Sequence, residues 1–303
     1  MPQKPFIIPL VPHIPVWLSL VLVFVLMVLG AFWGQQAGVR LAFSGVEDIT
    51  IRDTAWHLRR PLLILQTVTA SSAFIVAPLL YVYFFAYHGI GGFFQWRQGY
   101  AAPILLTLGL CLAFMVVDSW FIQWNMAVKL PPWLRAFEVW AQAKEAALKR
   151  LTTLLTTFHA LTDLGVGIVV LGVIPAIGEE LLFRGLVLPL CYKLTNNIHG
   201  AIVISAFVFS AIHLQFYGFV PRFLLGMLFG YLYWWTSDLA FPIAAHLFNN
   251  VFTLLMLFLY QQGIIMQDVT TPAVPSKAVL GFFAMLVVLL AYYLRQLSKR
   301  HNP

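Results

Sequence analysis

Long runs without a single acidic or basic residue recur along this 303-residue chain, and they restrict its fold more than any other feature. A helix needs ~20 apolar residues to cross a hydrocarbon core ~30 Å thick. In lipid only helices and closed barrels satisfy every backbone polar group. The residue-by-residue alternation of barrel strands is absent, so helical spans are predicted near 14–33, 61–86, 102–127, 162–192, 200–217, 222–236, 239–260 and 278–295. Composition agrees, with 61% hydrophobic and 10% charged residues against about 25% charged in soluble domains. The fold class is therefore all-α: a polytopic membrane helical bundle of about eight transmembrane helices plus an interfacial amphipathic helix. Nothing is left over for a sizeable soluble domain.

Two polar connections interrupt the series. Residues 34–60 carry Glu47, Asp48, Arg52, Asp53, Arg59 and Arg60, and residues 128–160 open on Pro131 and Pro132. After those prolines, Trp133, Phe137 and Trp140 recur at helical spacing, Leu148, Leu151, Leu155 and Phe158 continue the stripe, and charged residues fill other positions. That pattern predicts an amphipathic helix lying at the membrane interface. The net charge of +7 is spread through loops and tail with no basic stripe, so it suits anionic lipid headgroups rather than nucleic acid. Cys111 and Cys191 show no metal-binding or redox spacing and read as apolar filler. The chain divides into 1–160 (N-terminal spans and interfacial helix), 161–260 (motif core) and 261–303 (last span and basic tail).

The chemistry concentrates in the core. Glu179, Glu180 and Arg184 lie inside the apolar stretch 169–190, where ionisable residues are costly and functional by default. Glu180 and Arg184 are four apart on one helix face, so an ion pair between them is expected. Glu179 points about 100° away from that face, by the 3.6-residue repeat, and has no such local partner. Pro175 and Gly178 offer a kink just before it. Phe209 with His213, and His246 with Asn250, repeat the four-residue spacing on later spans. Glu179, His213, His246 and Asn250 thus come from three helices and are able to converge. A carboxylate and a histidine supply a general base for water, and a histidine and an amide supply donors to an oxyanion. Asp118 is expected to be structural, paired with Trp120, Trp124 or solvent.

The runs GEELLFRG (178–185), FSAIH (209–213) and HLFNN (246–250), in this order, resemble the CPBP intramembrane proteases, which are related to the type II CaaX prenyl endopeptidases. The resemblance covers roughly residues 170–255. It implies a membrane endopeptidase in which Glu179 and His213 activate water while His246 and Asn250 stabilise the oxyanion. Glu180, Arg184 and Phe209 take supporting places. It also implies a peptide or membrane-protein substrate. Composition and charge give the lipid bilayer as partner, a multi-pass protein and no nucleic acid, and the compact single-unit form leads to the expectation of a bacterial cytoplasmic membrane. No cofactor is expected. Glu179, His213 and His246 would be the ligands were zinc used, but HExxH is absent and Asn250 is a poor zinc ligand. The alternatives are a non-catalytic scaffold or immunity-type protein of the same fold, or a transporter. Transport would call for internal repeats and paired broken helices, and a single break near Pro175 is evident.

Overall fold

The structure is a computed structural model that describes residues 14–44, 58–85, 101–267 and 274–301. Among the described residues there are nine helices and no strand. We label them α1 (Val16–Phe43), α2 (Arg59–Phe85), α3 (Ala101–Met126), α4 (Arg135–Leu155), α5 (Leu161–Thr195), α6 (Ile198–Ala211), α7 (Phe219–Thr236), α8 (Ala240–Gln261) and α9 (Lys277–His301). Six of them, α1, α2, α3, α5, α8 and α9, are long and apolar enough to cross a membrane. The best window of α9 is only 6% buried and that of α1 11%. Apolar surface left bare on this scale is stable against lipid rather than water, as in a multi-pass integral membrane protein.

The eight expected spans are thus six long helices and two shorter ones. Expected span 200–217 ends at Ala211, and α6 has 14 residues, about 21 Å at 1.5 Å per residue. Helix α7 has 18. The first expected connection also shrinks, because α1 runs on to Phe43 instead of stopping near residue 33. Its glycines explain the extra turns. A Cβ on Gly30 would lie 2.5 Å from the Ser72 carbonyl oxygen, on Gly34 2.7 Å from the Ser72 Cβ, and on Gly38 2.9 Å from Leu65. This four-residue repeat of glycine brings α1 against α2 along its length, as small residues do where apolar lipid supplies no drive for helix association. Glu47, Asp48, Arg52 and Asp53 lie outside the described residues.

Helix α4 forms where the amphipathic stripe predicts, after a short 3-10 turn at Pro132–Leu134. It stops at Leu155, so Phe158 is buried in the following loop rather than on the helix. Arg59, at the start of α2, locks that corner: its guanidinium donates to the Leu155 carbonyl, the Asp163 carboxylate at 3.1 Å and the Asp163 carbonyl.

Helix α5 is central, and at 35 residues it exceeds a single bilayer crossing. Sequence predicted one proline kink. The structure instead has two π-helical segments in α5, Ile168–Val173 and Phe183–Val187, and a third in α2, Ser72–Val76. Each ends two residues before a proline: Pro175, Pro189 and Pro78. Proline lacks the N–H of an α-helical bond and its ring clashes with the carbonyl four residues back. Widening the preceding turn relieves both, and such π turns recur at functional sites. Between the two π segments of α5 lies the α-helical stretch Ile174–Leu182, which carries both glutamates.

Gly178 lets this stretch approach α2. A Cβ there would meet the Phe74 Cβ at 2.8 Å and the Phe74 carbonyl carbon at 3.2 Å. Gly178→Val is therefore expected to cost about 1–3 kcal/mol, as overpacked cores do, read as a lower unfolding midpoint in detergent. An unchanged midpoint would mean that the two helices do not meet this closely.

Candidate active site

Glu180 and Arg184 are both fully buried, and the four-residue spacing closes as an ion pair with Arg184 Nη1 2.8 Å from Glu180 Oε1. The same Oε1 accepts from His246 Nδ1 at 2.8 Å, so one carboxylate oxygen ties α5 to itself and to α8. Arg184 Nη2 donates to the Gly226 carbonyl on α7 at 2.7 Å. Its charge is also covered by two rings, Phe209 at 4.8 Å and Phe229 at 5.3 Å from the guanidinium carbon. Cations over aromatic faces gain most where water is excluded.

His246 is 5% exposed and held on two sides. Phe229 stacks on its ring with centroids 5.0 Å apart, and Glu180 fixes Nδ1. A carboxylate only accepts, so Nδ1 carries a proton and Nε2 is turned to other work. Glu179 Oε2 stands 3.9 Å from that Nε2, beyond hydrogen-bond length. The Glu179 carboxylate makes no hydrogen bond with any described residue, although the residue is only 9% exposed. Two adjacent glutamates have therefore been separated in role by local geometry. Glu180 is held through Oε1 by Arg184 and His246, with Oε2 buried and without a partner among the described residues, while Glu179 stays open.

Phe209 is the spacer of the site. It meets Phe183 edge-on at 5.2 Å, His213 at 5.3 Å and His246 at 6.2 Å. His213 lies just past the end of α6, half-buried, and its Nδ1 engages the Phe209 carbonyl at 2.8 Å. That bond again requires the proton on Nδ1 and leaves the Nε2 lone pair free. His213 has no hydrogen bond to either glutamate. Asn250 sits one turn beyond His246 on α8, where its amide donates to the Leu171 carbonyl at 3.4 Å and its oxygen accepts from Asn249 at 3.3 Å. The structure thus brings Glu179, Glu180, Arg184, Phe209 and His246 into one cluster. His213 flanks it in contact with Phe209, and Asn250 flanks it against the first π segment of α5.

Among the described residues no group of three or more His, Cys, Asp or Glu is placed to hold a metal ion. The expected alternative ligand set Glu179, His213 and His246 forms no such group. Asp118 also departs from expectation. It is buried in α3 with Oδ1 lacking a hydrogen-bond partner among the described residues, while Trp120 and Trp124 point outward at 40% and 48% exposure.

Sequence reasoning missed Phe229 and Gly226. The signal for Gly226 was its four-residue spacing from Gly230, since a Cβ at these positions would press on Phe209 at 3.1 Å and Ile202 at 3.0 Å. Nothing local marked Phe229, whose contact with His246 is made only by the packing of α7 on α8.

Fold and site together define a polytopic helical membrane protein with a buried carboxylate and histidine cluster between its central helices. Residues 162–252, from α5 into α8, match the family model described as type II CAAX prenyl endopeptidase Rce1-like. It is a hydrolase family, and the matched stretch contains every residue of the cluster. No curated protein and no solved structure matches the chain.

Proposed function

We propose that this protein is an intramembrane endopeptidase that hydrolyses a peptide bond in a membrane-associated peptide or protein. The observation that carries the reading is the Glu179 carboxylate, enclosed yet free of hydrogen bonds to the described residues, beside a histidine oriented by Glu180. Glu179 takes a proton from water as the water oxygen attacks the scissile carbonyl, and the Nε2 lone pair of His213 accepts the second hydrogen of that water and aligns it. The carbonyl oxygen gains the negative charge. His246 and the Asn250 amide stabilise it as hydrogen-bond donors. When the carbon–nitrogen bond breaks, the proton held by Glu179 passes to the leaving amine. In this reading α6 and α7 complete eight membrane-embedded helices, residues 161–260 form the functional core, and α4 rests at the interface.

Substrate capture tests the reading. Glu179→Gln protein, purified from membranes, is expected to retain peptides that wild-type protein cleaves, identified by mass spectrometry of what co-purifies. Captured peptides that wild type leaves intact would count against it. Asn250→Ala is expected to lower turnover by roughly 10²–10³-fold with a modest change in affinity, the size of a lost oxyanion donor. Unchanged turnover removes Asn250 from the mechanism.

A further inference from the structure

Arg222 is the exception among the interior arginines. Arg59 and Arg184 each touch a carboxylate directly. Arg222, half-buried on the first turn of α7, makes no ion-pair contact with any described carboxylate. Its two hydrogen bonds go to neutral acceptors, the Gln215 side-chain oxygen at 2.6 Å and the Gly218 carbonyl at 3.4 Å. A guanidinium has five donors in a planar fork suited to a carboxylate, so most of that capacity is unused.

The surroundings keep it unused. The Gln215 amide nitrogen lies 3.5 Å from Glu145 of α4 while its oxygen holds Arg222, so one neutral side chain stands between cation and anion. Gln215 follows His213 by two residues, and the intervening Leu214 has φ +54°, a left-handed conformation that costs a branched residue about 1–2 kcal/mol. The turn is further fixed by Phe216 on Phe137 and by Gln142 to the Tyr217 hydroxyl. Both Glu179 and Glu145 act on Arg222 electrostatically without an ion-pair contact to it. A cation held open is therefore fixed by Gln215 against the turn that carries His213.

We propose that Arg222 binds a carboxylate of the substrate close to the scissile bond, and so selects substrates carrying one there. This rests on the endopeptidase reading. The carboxylate is supplied either by a chain end or by an acidic side chain, and the test separates the two. Wild-type and Glu179→Gln protein in phosphatidylcholine nanodiscs are titrated calorimetrically with three acetylated probes: a trileucine free acid, its C-terminal amide, and the amide with glutamate as its last residue. At least one carboxylate-bearing probe is expected to bind tenfold or more tighter than the neutral amide, the scale of a charge-assisted contact. Which of the two binds tighter names the source. Arg222→Gln is expected to erase the preference, and Arg222→Lys, which keeps the charge but not the fork, to retain part of it. Equal binding of all three probes, no binding of any, or a preference that survives Arg222→Gln overturns the proposal. Failure of the endopeptidase reading looks different: Arg222-dependent binding of the probes persists, while membranes containing wild-type protein yield no peptide termini beyond those containing Glu179→Gln.

Discussion

Glu179→Gln is expected to reduce peptide-bond hydrolysis by at least the roughly 10²–10⁴-fold that general-base loss costs, with the unfolding midpoint nearly unchanged. The amide keeps the size of the carboxylate but not its basic oxygen. The wild-type carboxylate makes no hydrogen bond with a described residue, so no structural bond is lost with it. The measurement is turnover and thermal unfolding on the same preparation. A large stability loss would show that Glu179 is held by contacts the cluster does not reveal, and unchanged turnover would remove it as the base.

Arg184→Ala behaves in the opposite way. Arg184 is fully buried, its Nη1 pairs with Glu180 and its Nη2 bonds the Gly226 carbonyl. Removing it leaves Glu180 buried without its cation, and breaking a buried pair costs on the order of 3–5 kcal/mol. Detergent stability and activity should fall together. The loss also releases the oxygen that orients His246, because Glu180 Oε1 serves both partners. Arg184→Lys is not expected to rescue fully, since an ammonium cannot bridge the Glu180 carboxylate and the Gly226 carbonyl with the same fork. Retained stability in Arg184→Ala would show that the pair is not the lock of the bundle. A scaffold without catalysis would give a third pattern: every variant lowers stability, and a captured peptide is left intact by wild type and variants alike.

Spacing alone made part of the site legible. A carboxylate and a guanidinium four apart on a helix must face each other, and Glu180 and Arg184 do so. The amphipathic stripe of α4 was equally local, because 3.6-residue periodicity is visible without tertiary information. Other features needed the packed bundle. That Glu180 orients His246 joins residues 66 apart, and nothing in either segment announces the partner. The π segments had a signal in Pro78, Pro175 and Pro189, but it reads as a kink unless the carbonyl four residues back is followed. The length of α1 was missed for another reason. Hydropathy falls after Trp33, while Gly34 and Gly38 continue the helix by contact with α2. Asp118 shows the same limit: depth in a span was evident, but the direction of its neighbours Trp120 and Trp124 was not.

The central claim is that the Glu179 carboxylate cuts peptide bonds in the membrane. The most direct measurement is quantitative mass spectrometry of new peptide termini in membranes containing wild-type or Glu179→Gln protein at equal abundance. The account predicts a defined set of termini that appear with wild type and disappear with Glu179→Gln. Identical termini in the two membranes, with both proteins folded, would contradict it.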